Sequence, residues 1–147
     1  MRIAALDIGE VRIGVAVCDS LEIAAFPSGT LKRVGSLKKD IEIVAAKLRE
    51  LETEALVVGL PLSLNGDVGP QAQRVQGFCK ALAKILPIPM EYWDESLTSV
   101  EANDLLIEMG TSRARRREVI DQMAAVLILD GYMKDRQQKL KANAQVT

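Results

Sequence analysis

The 147-residue sequence contains no histidine. That single absence removes serine–histidine triads, histidine-ligated zinc sites and histidine-based ribonuclease chemistry together. Cysteine is nearly as scarce. Cys18 and Cys79 are too few for a disulfide framework and lack metal-ligand spacing, so both read as buried apolar fillers. The only aromatics are Phe26, Phe78, Tyr92, Trp93 and Tyr132, which argues against extensive base stacking and for recognition of backbone shape if nucleic acid is the ligand. No apolar run approaches the roughly 20 residues of a membrane span, and the start MRIAALDIGEVRIG lacks the unbroken apolar stretch and cleavage site of a signal peptide. A cytoplasmic protein with no membrane partner is expected. The net charge of -1 denies the chain a general basic footprint, so any polyanion must be held by local patches.

What is present is an ordinary globular composition, 48% hydrophobic and 27% charged, which excludes disorder as the default and suits one core. Residues 2–30 read as an antiparallel meander: RIAALDI, then RIGVAVCD after a Gly9-Glu10-Val11 turn, then EIAAFPSGTL. From Ser36 the period becomes helical, with Leu37, Ile41, Val44, Leu48 and Leu51 forming an apolar stripe. Ala55 to Pro61 is a short buried strand. A helix follows over Gln71 to Leu86, then a strand around Met90 to Trp93. Thr98-Ser99-Val100-Glu101 fits a capping box that opens a third helix, with Gly110 as its stop. The stretch TSRARR reads as a loop before a last helix from Glu118 to about Lys134, with Ile120, Met123, Ala124, Leu127 and Gly131 inward. Residues 1–134 then make one domain and 135–147 a polar, flexible tail. Strands that follow helices join by parallel crossovers, so the expected fold is α/β: a mixed five-stranded sheet, an antiparallel three-strand meander plus parallel strands, flanked by helices.

Three acids stand out. Asp7 interrupts an apolar strand, where an ionised carboxylate loses several kcal/mol of hydration unless a partner or cation compensates. Its other explanation is a local turn with Gly9. Asp94 and Glu95 end a strand, and alternation allows only one of them to face Asp7. Asp121 sits in the last helix beside Ala124 and Ala125, whose small side chains permit close approach to the sheet; pairing with Arg117 on a solvated face is the alternative. Carboxylates on three elements suit hard cations such as Mg2+ or Mn2+, and metal-assisted hydrolysis needs no histidine.

ALDIGEVRIGVAVCD, VVGLPLSLNGDVGPQAQRVQGF, DESLTSVEA and IDQMAAVLILDGY, in that order over about residues 2–133, resemble the successive motifs of the YqgF/RuvX family of pre-16S rRNA nucleases and Holliday-junction-resolvase-like proteins. The resemblance implies an RNase H-like fold and a hydrolase, with Asp7, Glu95 and Asp121 as the catalytic and metal-holding acids. It also implies a cytoplasmic role in 5′-end maturation of 16S rRNA, with branched DNA as a related substrate and ribosomal assembly intermediates as partners. The family usually reads KRIG and DER where this chain has Val11-Arg12 and Glu95-Ser96, so two cations near the phosphate path are absent.

Arg113, Arg115, Arg116 and Arg117 crowd the region before the last helix and are candidates to hold phosphates, with Arg12, Lys32 and Arg33 extending the path; a solvated charge run is the plainer account. Two rivals to a nuclease stand beside it. Asp7-x-Gly9 followed by Arg12-x-Gly14 is similar to the first phosphate loop of actin-like ATPases and sugar kinases, although the chain is too short for the second such domain those enzymes need. A non-catalytic ribosome-assembly or nucleic-acid-binding module is the other.

Overall fold

The computed structural model describes residues 1–62, 66–94 and 113–146, and their side chains except those of 113–122 and 144–146. Nearly continuous apolar runs form β1 (Ile3–Ile8) and β2 (Arg12–Cys18), which with β3 (Ala25–Lys32) make an antiparallel meander. β4 (Ala55–Leu60) joins β1 in parallel, and β5 (Met90–Asp94) joins β4 in parallel. The order β3-β2-β1-β4-β5 is the mixed five-stranded sheet expected, with β1 at its centre.

Helices α1 (Leu37–Glu50) and α2 (Pro70–Ile85) cover one face of the sheet, and α3 (Arg113–Val146) covers the other. Ser36 caps α1, its hydroxyl accepting from the Lys39 amide. Because side chains alternate, each inner strand feeds two cores. Leu6, Ile13, Val15 and Val58 meet Val44 and Leu48 of α1 and Val75, Phe78 and Leu82 of α2. Ile3, Ala5, Ala16 and Val57 meet Ala125, Ile128, Leu129 and Met133 of α3. Cys18 and Cys79 are buried and unpaired, and burial raises both thiols, Cys79 to about 11, which agrees with their reading as fillers.

Four sequence expectations are corrected. Leu37 opens α1 but is 52% exposed, and the buried stripe is Ile41, Val44, Ala45 and Leu48. The last helix starts at Arg113 and not Glu118, so Arg113, Arg115, Arg116 and Arg117 lie in its first turns and not in a loop; arginine, alanine and glutamate are all strong helix formers. It also continues beyond Lys134 through the segment read as a tail. There the carboxylate of Glu22, in the β2–β3 turn, forms an ion pair with Arg136, 3.1 Å from its Nε, and the Glu22 carbonyl accepts from Gln137 Nε2 at 3.2 Å. The inward stripe is Ala124, Ala125, Ile128, Leu129 and Met133, while Met123, Leu127 and Gly131 are only partly buried. The helix expected after Thr98 lies outside the described residues. No helix among the described residues is long and apolar enough to cross a membrane.

Candidate active site

Asp7 is the fifth residue of β1, and alternation with Ile3 and Ala5 puts it on the α3 face. It is half-buried. Its partner across β2 is Gly14; on the other side Leu6 pairs with Val58, which Gly59 follows. Asp7 is therefore the side chain between two residues that have none, at the carboxyl end of the parallel pair β1 and β4, where open α/β sheets place their ligand crevice. Glycine inside a strand marks a place where another group approaches the backbone closely. Arg12, two residues before Gly14 on β2, shares this face and is partly buried.

The turn after Asp7 is fixed from behind. The Gly9 amide donates to the Arg12 carbonyl at 2.9 Å, and a Cβ on Gly9 would stand 2.7 Å from that oxygen, so no other residue fits without moving the turn. The Arg33 Nη1 donates to the Gly9 carbonyl at 2.9 Å, and its backbone amide donates to Val11 at 2.8 Å. Arg33 Nε also donates to Asp40 Oδ2 at 2.9 Å, and its guanidinium lies 5.5 Å above the Phe78 ring centre. Asp40 is 3% exposed and accepts the Val34 amide at 2.8 Å. Burial pushes its carboxyl up, but that amide and the Arg33 guanidinium outweigh burial and hold it below the ordinary aspartate value. Arg33, expected on the phosphate path, is thus committed to bracing the turn. Sequence reasoning missed Asp40. Its signal was a carboxylate next to Ile41 and four residues before Val44, on the apolar side of α1.

The remaining acids stand as follows. Asp94 ends β5 opposite Leu60 and so lies on the α1/α2 face, away from Asp7. Its neighbour Trp93 is on the α3 face, edge-on to Tyr132 and so close to Gly131 that a Cβ there would meet the indole at 3.2 Å. Glu95 lies outside the described residues. Asp121 is in α3, four residues before Ala125 and seven before Ile128, both fully buried; its side chain is not among those described, nor are those of Arg113, Arg115, Arg116 and Arg117. Among the described residues no three acidic or thiol side chains cluster as a metal site.

Residues 1–135 match the family model described as RuvX, Holliday junction resolvase. A protein of Clostridium kluyveri named "Putative pre-16S rRNA nuclease" is 44% identical over 133 residues, covering 90% of this chain and 96% of that protein. One of the same name from Thermoanaerobacter pseudethanolicus is 46% identical over 140 residues, covering 95% of this chain and 100% of that one. Among solved structures, Thermus thermophilus RuvC in complex with a Holliday junction substrate superposes with a TM-score of 0.55 at 18% identity, over 93% of this chain and 96% of that one. That likeness shows the RNase H-like resolvase fold. With its central aspartate at the crevice end of such a sheet, the chain belongs to the RuvX family of Holliday junction resolvases and is a nuclease that hydrolyses phosphodiester bonds.

Proposed function

We propose that this nuclease depends on a divalent cation, Mg2+ or Mn2+, held by Asp7, Glu95 and Asp121, and that it acts in the cytoplasm on the 5′ end of pre-16S rRNA within ribosomal assembly intermediates. The observation that carries this reading is Asp7, half-buried at the centre of the sheet between Gly14 and Gly59. Its carboxylate suits a hard cation, and the flanking glycines leave clearance above it for a phosphate. Bound there, such an ion supplies Lewis-acid activation of the phosphoryl centre.

The course of α3 supports Asp121 as a second ligand. Arg136 is anchored at Glu22, whose carboxylate also lies 3.7 Å from the Met1 amine, at the end of the sheet where β1 begins. Fifteen residues of helix back from Arg136 span about 22 Å. The six residues from Met1 to Asp7 span about 20 Å as strand. These lengths support a position for residue 121 near the level of Asp7. Glu95 is favoured over Asp94 because Asp94 lies on the opposite face. Arg12, on the Asp7 face, orients the substrate phosphate, and Arg113, Arg115, Arg116 and Arg117 at the start of α3 hold its neighbours along the strand. Branched DNA is a second substrate, favoured by the resolvase description of the family.

Cleavage of labelled single-stranded RNA, a pre-16S 5′ leader, duplex DNA and a four-way junction by the purified protein, with Mn2+, Mg2+ or EDTA and with Asp7→Asn alongside, tests this. Metal-dependent cutting that is lost in the variant supports the site and ranks the substrates. Binding without cutting on all of them moves the protein to the assembly-module reading, and unchanged cutting by the variant removes Asp7 from the site.

A further inference from the structure

Behind the active-site turn lies a cleft on the face of the sheet opposite Asp7. It is bounded by the β1–β2 turn, the β3–α1 loop and α2, and encloses about 370 Å3. That is within the roughly 300–1,000 Å3 of small-ligand pockets. We propose that this cleft is a base pocket, which receives one unstacked nucleobase of the strand whose phosphate lies at Asp7; the assignment rests on the nuclease reading above.

Its position suits a base of the bound strand. Ile8, Gly9 and Glu10, the three residues that follow Asp7, form one wall. Asp7 faces α3 while Ile8 faces α1 and α2, so a strand crossing the carboxyl end of β1 meets the acid on one side and the cleft on the other. The chemistry suits a flat heterocycle with a phosphate beside it. Val75 and Leu37 give apolar walls, and the Arg33 guanidinium, 5.5 Å over the Phe78 ring, is held in place by Asp40 and Gly9 and offers a planar group on which a base can stack. At the mouth Arg74 Nη1 stands 3.5 Å from Glu10, both side chains largely exposed. Pairs of that kind contribute little to stability, so Arg74 exchanges its carboxylate for a phosphate at small loss.

Gly77 is the independent observation. Glycine is among the poorest residues for a helix interior, yet Gly77 sits in the middle of α2. A Cβ built on it meets nothing within 4 Å, so no packing neighbour demands glycine there. Gly77 is exposed, and the open space beside it lies at the rim of the cleft. A ligand that fills this space accounts for a residue that the protein's own packing does not.

The test uses the full chain carrying Asp7→Asn in EDTA, so that binding is read apart from cleavage. The probes are short single-stranded RNAs with a single 2-aminopurine moved along the sequence. One position should change fluorescence on binding. Gly77→Leu, which fills the cleft and favours the helix, should abolish that change and weaken binding roughly ten-fold, the order given by one stacked base, with the melting temperature unchanged or raised. An abasic residue at the responsive position should weaken binding to the Gly77 protein by the same factor and add nothing to Gly77→Leu. Unaltered binding by Gly77→Leu, or two effects that multiply, overturns the proposal. So does saturable binding of free AMP or UMP that Gly77→Leu removes while strand binding is intact, which would assign the cleft to a free nucleotide. Should the unmodified protein cut none of its substrates, the nuclease reading fails while this binding readout still reports on the cleft.

Discussion

The two faces of the sheet are built from different materials. Towards α1 and α2 the strands present Leu6, Ile8, Ile13, Val15, Leu56, Val58 and Leu60, and the helices answer with Val44, Leu48, Phe78 and Leu82. Towards α3 the small residues Ala5, Gly14, Ala16 and Gly59 stand beside Ile3 and Val57, and the helix answers with Ala125, Ile128 and Leu129. The first face maximises apolar area removed from water. The second gives up side-chain volume on either side of one carboxylate and lets a helix approach closely. Stability and the proposed chemistry thus fall on opposite sides of the same strands, and β1 carries both at alternate residues.

Substitutions on each side should break or sharpen that division. The largest effect is expected from Asp7→Asn, which should reduce metal-dependent cleavage on the order of a thousand-fold with no loss of melting temperature; a parallel loss of fold would make Asp7 a structural residue. Leu48→Ala, on the volume-filled face, should cost about 2–5 kcal/mol in urea denaturation while the folded fraction keeps its specific activity. Ala125→Leu, on the small-residue face, should cost about 1–3 kcal/mol by overpacking yet lower activity further than Leu48→Ala does. Equal activity losses from the two would end the distinction between the faces. Replacing Arg115 and Arg116 with alanine should weaken strand binding and reduce the slope of log affinity against log salt by about 2 for duplex DNA; an unchanged slope returns both residues to solvated surface. The smallest effect concerns Asp40. Its carboxyl is lowered in the folded state, so its contribution to stability is complete above the unfolded value of about 3.9 and is lost as pH falls through the lower folded value. Melting temperature measured from pH 6 to pH 2 should fall less steeply in Asp40→Asn than in the parent.

Much of this was legible in the sequence because the relevant signals are local. Short apolar runs between turn residues marked β1 and β2, the helical stripe through Ile41, Val44 and Leu48 marked α1, and a lone acid in LDIG marked the candidate site. The start of α3 was not. Four arginines within five residues look like a solvated loop, yet they carry strong helix propensity, and propensity decided. The inward face of α3 was misjudged for a related reason. Leu127 and Gly131 suit a helical stripe on their own, but the sheet beneath selects Ala125, Ile128 and Leu129. The Arg33–Asp40–Gly9 brace joins three separate segments, and no local period announces contacts of that kind.

The central place of β1 bears on how the proposed catalytic acid behaves in time. β1 has a hydrogen-bonded strand on each side, β2 and β4, and a helical layer above and below. Backbone amides in such a strand exchange with solvent only when the whole domain opens, whereas those of edge strands and turns exchange by local fraying. Deuterium uptake at Ala5 and Leu6 should therefore match the rate of global unfolding, and the position of Asp7 should persist on heating until the domain itself melts.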